Sequence, residues 1–589
     1  MRRALLLCAA FAGLLVSASG QSPAWDTYSD TWAGVDALGR VIPMFDRAGP
    51  ARQDKTLGMF YFLTFDHGGP GPLDNTKILA AHPDALKNVN DPAWGPMHSS
   101  HYWGEPLLGY YTSDDEWVLR KHAQMLANAG VDVVVFDNSN AVTYDTARNT
   151  LCRVWESMRK QGLKTPHVAF LCPFGNPSDI GTHTLSELYN TLYKPGLYSD
   201  LWFQWNGKPL VLAQPSYAAT PEISKFFTFR SPIGPYDDKH PQPGWWAWLQ
   251  NYPQATQLDP FRKPEQMTVG VAQNYSDATG LSAMSIPGAY GRSFHDGHEH
   301  VYPGSVNLGL NFQEQWERAL VASPPFVFVT GWNEWTAMIF DEWYKYKAPP
   351  AIFVDEFNQE FSRDIEPMVG GHGDDYYYQL VDNVRLYKGV RPLPPIHPTP
   401  ISIDGSFDDW KAVTPEYRDA VGDTVHRDVE GVGHAGRYVN TTGRNDIVAA
   451  KVSYDADNVY FYVRSQDPLT SHTDPDWMLL YINTNADYKK GWLGYDFVVN
   501  RRVGDDATSL EKNIGGGYNW ESVANVRYAA KGNEIEIAVP RSALGLGHLP
   551  ATIDFKWADH CFQKGDWTDF TLNGDAAPDD RFNYRAILN

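Results

Sequence analysis

Short apolar runs alternate with amphipathic stretches over residues 57–348, which is the pattern of β-strands followed by α-helices. Residues 131–136 are almost continuously apolar, as a strand buried on both faces requires. The preceding residues 115–129 space their apolar side chains as a helix does, and Gly130 ends that stretch. Together they predict one helix–strand unit of a repeating architecture.

The same alternation continues along this half of the chain. It predicts further strands at 58–63, 167–171, 209–213, 225–230, 267–272 and 326–330, with helices at 146–161, 185–193 and 312–322. About eight such repeats over some 300 residues favour a closed (β/α)8 barrel of the TIM type. An open, doubly wound sheet is the alternative, but no glycine-rich phosphate loop follows its first strand.

A proline-rich joint, LYKGVRPLPPIHPTP at 386–400, cannot form a helix or a central strand. Short alternating runs after it predict strands at 449–454, 459–464, 478–482, 495–500 and 534–539. Even spacing and turn signals between these runs indicate an antiparallel β-sandwich. We therefore predict a barrel over 21–390, a linker over 391–400 and a sandwich over 401–589.

The N-terminus has the features of a secretory signal peptide over residues 1–20, with cleavage near Gly20. The mature protein is expected to be secreted or periplasmic, without membrane insertion. Cys8 would leave with the signal, whereas Cys152, Cys172 and Cys561 stay. The first two of these could pair in an oxidising compartment, but two buried thiols are the favoured interpretation.

Composition narrows the class of partner. A formal net charge of -21 argues against nucleic acid, because phosphate binding needs a clustered basic surface. The chain contains 21 Trp and 32 Tyr, and such rings can stack on the apolar faces of sugars. This composition is compatible with glycan recognition.

Polar residues follow several predicted strands, where the open face of a β/α barrel would gather them. They are Asp66, His67, Asp137, Asn138, Asn274, Asn333 and Glu334. This set is rich in carboxyl and amide groups and contains no serine at a nucleophile elbow. Glycoside cleavage needs at least two carboxyl groups, one to protonate the leaving oxygen and one to act as nucleophile or base.

Glu334 is the foremost candidate, because FVFVTGWNEW at 326–335 predicts a buried strand. Asn333, Glu334 and two indoles follow that strand and would lie at the open face of the barrel, which we call the mouth. A purely structural role is the alternative for each carboxyl group. Glu334 could serve only in an ion pair with a basic side chain, and Asp137 could cap a helix. Residues 355–380 are also dense in acids. Either they line the cleft, with Asp355, Glu356, Asp364 or His372 near substrate, or they form a helix and loop that close the barrel.

Three segments resemble the glycoside hydrolase family 99-like barrels: TGWNEW at 330–335, YYTSDDEW at 110–117 and GVDVVVFDNSN at 130–140. The similarity covers residues 55–385 and its motifs are moderately specific. In endo-mannosidases of that family an NEW-H-E segment holds two glutamates. The first is base on the sugar 2-hydroxyl and the second is the general acid/base. Glu334 matches the first position, whereas Thr336 and Ala337 stand where the family has its His and second Glu.

Another carboxyl group would then supply the proton, and Asp137, Glu342, Asp341 and Glu116 are the candidates. We predict Glu334, Asp137 and Glu342 as catalytic. We predict as substrate-binding Asp66, His67, Asn138, Asn274, Trp332, Asn333 and Trp335.

The predicted function is hydrolysis of a poly- or oligosaccharide without a catalytic metal or cofactor. A catalytically silent glycan-binding protein is the main alternative, and a lyase is a lesser one.

The C-terminal part resembles family 9-like carbohydrate-binding sandwiches, from ISIDGSFDDW at 401–410 to DNVYFYVRSQD at 457–467. That resemblance implies that exposed indoles could clamp a glycan end and that loop aspartates could hold a structural calcium ion. The candidate indoles are Trp477, Trp492 and Trp520, and the candidate ligands are Asp446, Asp474 and Asp496. The alternative is that this domain only braces the barrel.

Overall fold

The computed structural model describes residues 27–175, 178–237 and 241–589. The predicted signal peptide and its cleavage site lie outside these ranges, so export stays a prediction. Within them, no helix combines the length and apolar character that crossing a bilayer requires.

Eight parallel strands form a nearly closed barrel, as predicted. They are β1 (Thr56–Tyr61), β2 (Val133–Asp137), β3 (His167–Leu171), β4 (Lys208–Leu212), β5 (Thr228–Pro232), β6 (Trp245–Trp246), β7 (Pro264–Gly270) and β8 (Phe326–Thr330). Consecutive strands are neighbours from β1 to β6, and β8 lies between β7 and β1. Because all eight run in the same direction, their carboxyl ends meet at one face.

Strands β6 and β7 are not paired through their backbones, and side-chain hydrogen bonds close the barrel between them. The Gln266 side chain accepts from the Ala247 amide at 3.2 Å and donates to the Ala247 carbonyl at 2.9 Å. Thr268 Oγ1 donates to the Trp248 carbonyl at 2.9 Å. These bonds satisfy backbone groups that the two-residue strand β6 leaves open.

The major helices of this half are α1 (Glu116–Asn128), α2 (Asp145–Lys160), α3 (Ser178–Leu188), α4 (Pro221–Phe226), α5 (Leu310–Ala322) and α6 (Asp375–Lys388). The strand predicted at 225–230 is wrong in its first part, because α4 runs through Phe226 and β5 begins at Thr228. Thr220 caps α4 by accepting a hydrogen bond from the Ile223 amide. The aromatic residues at 226–229 favour a strand and hid this helix start in the sequence.

Alternate residues of the strands pack on opposite sides of the barrel wall. Phe326 and Phe328 face the barrel interior, whereas Val327 and Val329 pack toward the helices, and all four are fully buried. A strand buried on both faces must be continuously apolar, which explains the FVFV run that precedes the candidate site.

After β8 the chain forms a hairpin of β9 (Thr336–Trp343) and β10 (Tyr346–Phe353) before it reaches α6. Residues 391–400 contain no helix or strand. The strands of the C-terminal domain are β11 (Tyr417–Arg418), β12 (Ile447–Tyr454), β13 (Asn458–Ser465), β14 (Leu479–Asn483), β15 (Phe497–Val503), β16 (Ala507–Asn513), β17 (Trp520–Lys531), β18 (Glu534–Pro540), β19 (Ala551–Asp559), β20 (Asp575–Ala577) and β21 (Tyr584–Leu588).

These strands pair antiparallel in the order β11-β12-β13-β18-β17-β16-β15-β14-β19-β20, with β21 also on β19. The antiparallel character was predicted, but the strands form one barrel-like sheet instead of two separate ones. Its ends approach each other, because the Asp575 carboxylate on β20 accepts a hydrogen bond from the Ile447 amide on β12 at 2.5 Å.

Buried ion pairs join this domain to the barrel. Arg427 contacts Asp115, the N-cap of α1, at 2.6 Å, and Arg581 contacts Asp374 beside α6 at 2.5 Å. The C-terminal domain therefore packs on the barrel helices, as the bracing interpretation requires. Cys152, Cys172 and Cys561 are free and buried, in line with the favoured interpretation of the thiols.

Candidate active site at the barrel mouth

The segment that follows β8 is held in place by hydrogen bonds on both sides. The Trp332 amide donates to the Phe60 carbonyl at 2.9 Å, and Asn333 Oδ1 accepts from the Phe62 amide at 2.9 Å. The Glu334 amide donates to the Asp364 carboxylate. Because its neighbours are fixed in this way, the Glu334 side chain has a defined position at the mouth.

Three residues of this segment were predicted to contact substrate, and their burial corrects that prediction. Trp332 and Trp335 are 0% exposed and Asn333 is 1% exposed. The Trp335 ring stacks on Trp103 with centroids 4.5 Å apart, and its Nε1 donates to Glu366 at 2.6 Å. These side chains are positioning residues, since a fully buried indole cannot offer its face to a sugar ring.

Arg363 lies at the centre of the site. Its Nη2 donates to Glu334 Oε2 at 2.9 Å and to Asp355 Oδ1 at 3.2 Å, and its Nε lies 3.4 Å from Glu356 Oε1. We call Glu334, Asp355, Glu356 and Asp364 the carboxyl cluster. One guanidinium thus faces three acids of the cluster, and the buried Arg292 lies beside the fourth, with its Nη2 donating to the Asp364 carbonyl at 2.8 Å.

Burial sets the protonation of the cluster. It raises the pKa of Glu334 to about 8, Arg363 opposes this rise, and Asp355 and Asp364 add to it. Burial likewise raises the pKa of Asp364 to about 7 and raises that of Glu356 well above its usual range. A carboxyl group that keeps its proton at neutral pH can serve as a general acid.

Asp355 differs from Glu334 in its surroundings. Its side chain is 43% exposed, and its Oδ1 accepts hydrogen bonds from Arg363 and from Asn274 Nδ2, the latter at 3.1 Å. Both partners are donors, as an ionised carboxylate prefers. Tyr236 OH donates to Asn274 Oδ1 at 2.6 Å and so orients the amide. Asn274 was predicted to bind substrate; it is 3% exposed and supports Asp355.

The strand-end residues of β2 have separate roles. Asp137 is partly exposed, burial raises its pKa, and Asp355 and Arg363 are both close enough to influence it. It therefore borders the carboxyl cluster. Asn138 was predicted to bind substrate, but it is 0% exposed and its Nδ2 donates to the Val142 carbonyl at 2.5 Å. This bond fixes its own loop.

Glu342 was predicted as catalytic, and its position contradicts that role. The residues after Trp335 continue as β9, whose outer part is exposed, and the Glu342 side chain pairs with Lys347 at 2.9 Å. Asp66 and His67 lie exposed on the loop after β1, where Asp66 accepts from the Gly68 amide and His67 lies 3.7 Å from Asp114. Their role in substrate binding stays a prediction.

Two central residues were not predicted from the sequence. Arg363 is the only basic residue between 355 and 366. A single basic residue among so many acids could have indicated that it binds them. Tyr236 belongs to no motif and reaches Asn274 only through the folded chain.

Of the three indoles predicted to clamp a sugar in the C-terminal domain, two are too buried for that role. Trp477 is 2% exposed and Trp492 is 6% exposed, so neither ring is free to stack on a glycan. Trp492 packs edge-on against Tyr518, with centroids 4.7 Å apart.

Fold and site together define a nearly closed parallel-strand barrel with a carboxyl-rich mouth, packed against an antiparallel β-domain. No protein-family model matches the chain, and no curated protein does so either. Solved structures to which the chain is similar include the GH99 endo-α-mannosidase from Bacteroides thetaiotaomicron, with and without bis-tris-propane. Both are 16% identical to this chain with a TM-score of 0.32, covering 57% and 58% of it and 97% and 99% of their own length.

Proposed function

We propose that this protein is an exported glycoside hydrolase that cleaves a poly- or oligosaccharide with Glu334 and Asp355. The observation that carries the proposal is that both carboxyl groups bind one atom, Arg363 Nη2, at 2.9 and 3.2 Å. A protonated group and an exposed carboxylate side by side are the two components that glycosidic cleavage needs.

The geometry favours retention of anomeric configuration. The two bonded oxygens can be no farther apart than the sum of their distances to Nη2, which is below the roughly 6.5–9.5 Å typical of inverting enzymes. In this mechanism Glu334 protonates the leaving oxygen while Asp355 attacks the anomeric carbon. Glu334 then acts as base on the water that releases the sugar from Asp355.

Asp355 supplies the second carboxyl group that Ala337 does not. In the family 99-like resemblance Glu334 matches the base and Ala337 stands at the acid/base position, whereas the mechanism proposed here gives the acid/base role to Glu334 and the nucleophilic role to Asp355. Asp355 arrives from another segment, after the β9–β10 hairpin, and stands beside Glu334 through Arg363.

Ala337 also keeps the catalytically silent glycan-binding protein as a second candidate. Hydrolysis and binding should therefore be measured together on a panel of neutral and uronate-containing glycans. The matched control is the double variant Glu334→Gln, Asp355→Asn, which keeps side-chain shape and removes both ionisable groups. Sugar release by the wild type alone supports the hydrolase. Binding by both proteins without release by either overturns it in favour of the silent binder.

The pH dependence of the reaction follows from the raised pKa of Glu334. The general acid must carry its proton, so kcat/KM should fall as pH rises through about 8, the pKa that burial gives this group. Initial rates between pH 5 and pH 10 at low substrate concentration test this expectation. A rate that stays constant to pH 10 would rule out Glu334 as the acid.

A further inference from the structure

A second group of acids lies where helix α1 meets the C-terminal domain. Asp419, Asp423 and Asp575 are buried, and one carboxylate oxygen from each lies within 4.8 Å of the others. Asp419 and Asp423 follow β11, and Asp575 begins β20. We call these three residues the junction aspartates. None of them takes part in the proposed reaction.

Two oxygens at this junction lack hydrogen-bond partners. Asp423 is 7% exposed, and its Oδ2 accepts from Gln124 Nε2 of α1 at 3.0 Å. Its Oδ1 is buried and has no partner among the described residues. The neighbouring Asp446 repeats this arrangement: Oδ2 accepts from the Gly422 amide at 2.8 Å, and the buried Oδ1 is unpartnered in the same part of the chain. Buried carboxylate oxygens normally have partners, so these two oxygens are available as ligand atoms.

Charge at the junction is also unbalanced. The acids that influence one another there are Asp419, Asp423, Asp446, Asp575, Asp579 and Asp580. The basic side chains that face them are Arg120, Lys121 and Lys556. Lys121 Nζ lies 3.7 Å from Asp579, and Lys556 donates to the Pro578 carbonyl.

We propose that the junction aspartates bind a calcium ion, with the Asp446 carboxylate beside them as a further ligand. Calcium takes six to eight oxygen ligands in flexible geometry, whereas magnesium demands a near-ideal octahedron and keeps its waters. Carboxylates from three separate segments suit the first requirement. Of the three aspartates predicted from the sequence, only Asp446 lies here; Asp474 lies 3.9 Å from Arg444, and Asp496 accepts from the Thr484 amide.

The ion would fasten the C-terminal domain to the barrel. Gln124, which bonds Asp423, lies on α1 beside His122, and His122 lies 3.0 Å from the buried Glu366. Glu366 in turn accepts from Trp335 next to Glu334. Calcium at the junction therefore supports the helix behind the active site without touching substrate, and the proposal stands independently of the catalytic one.

The test compares wild type, Asp423→Asn and the control Asp474→Asn, each stripped with EDTA and dialysed. Tm is measured in EDTA, in calcium and in magnesium, and bound metal is counted by elemental analysis after dialysis against micromolar calcium. We expect one calcium per wild-type chain and a rise in Tm on the order of 5 °C with calcium. Asp474→Asn should behave as the wild type does.

Asp423→Asn separates an ion site from a set of protonated acids. For an ion site, the variant loses the calcium-dependent rise, yet in EDTA it is at least as stable as the wild type, because one uncompensated buried charge is gone. If calcium changes the Tm of neither protein and none is retained, the proposal is wrong. A variant that fails to fold leaves the wild-type metal content and Tm to decide.

Discussion

Glu334→Gln is expected to lower kcat/KM by about 10³-fold on any glycan that the wild type hydrolyses, because a positioned general acid contributes that order of rate. Glutamine keeps the hydrogen bond from Arg363 Nη2, so the fold and glycan binding should be preserved. Initial rates of reducing-sugar release, with Kd measured separately, distinguish lost chemistry from lost binding.

The matched control is Glu342→Gln, the same chemical change at an exposed glutamate that pairs with Lys347. Its kcat/KM should equal that of the wild type. If Glu342→Gln inactivates the protein and Glu334→Gln does not, the sequence-based assignment of Glu342 is correct and the position of Arg363 is irrelevant to catalysis.

The second large effect is expected at Arg363, whose side chain is 1% exposed and contacts Glu334, Asp355 and Glu356. Arg363→Met removes the buried cation that these three acids share, which should lower the free energy of unfolding by about 3–5 kcal/mol. The loss should be larger at pH 8 than at pH 5, because the remaining carboxyl groups can be protonated at the lower pH. Urea unfolding at the two pH values measures both quantities.

Arg437→Met provides the comparison. Arg437 also contacts two acids, Asp428 and Glu430, but its side chain is 51% exposed. Solvent already screens that pair of contacts, so stability should change little. Equal losses for the two variants would mean that Arg363 does not compensate buried charge.

The barrel was readable from the sequence because its strands are buried on both faces. The run at 326–330 could form nothing but a central strand, and β3 and β8 have the predicted boundaries. Short elements were harder to predict. Residues 221–226 form a helix in front of β5 because Thr220 caps them, and aromatic residues of high strand propensity hid that signal.

The sequence predicted those residues of the candidate site that directly follow barrel strands, but not the residues that a later segment brings to them. Asp137 ends β2 and Glu334 lies in the loop that follows β8, so the rule that polar residues past barrel strands meet at one face placed both at the mouth. Asp355 and Arg363 come from the segment after the β9–β10 hairpin, whose path depends on tertiary packing. The Trp-Asn-Glu-Trp segment was misjudged in another way: three of its side chains are buried, and Glu334 is the one that contacts Arg363 in the cluster.

The pairing of Glu334 with Asp355 is tested most directly by comparing the rates of sugar release by Asp355→Asn and Asp137→Asn, on the glycan of the panel that the wild type hydrolyses fastest. Both variants replace a carboxyl group near Arg363, but only Asp355 shares Nη2 with Glu334. Asp355→Asn should bind glycan and lose hydrolysis, while Asp137→Asn should retain most of it. Full activity of Asp355→Asn, with activity lost in Asp137→Asn, would contradict the pairing of Glu334 with Asp355.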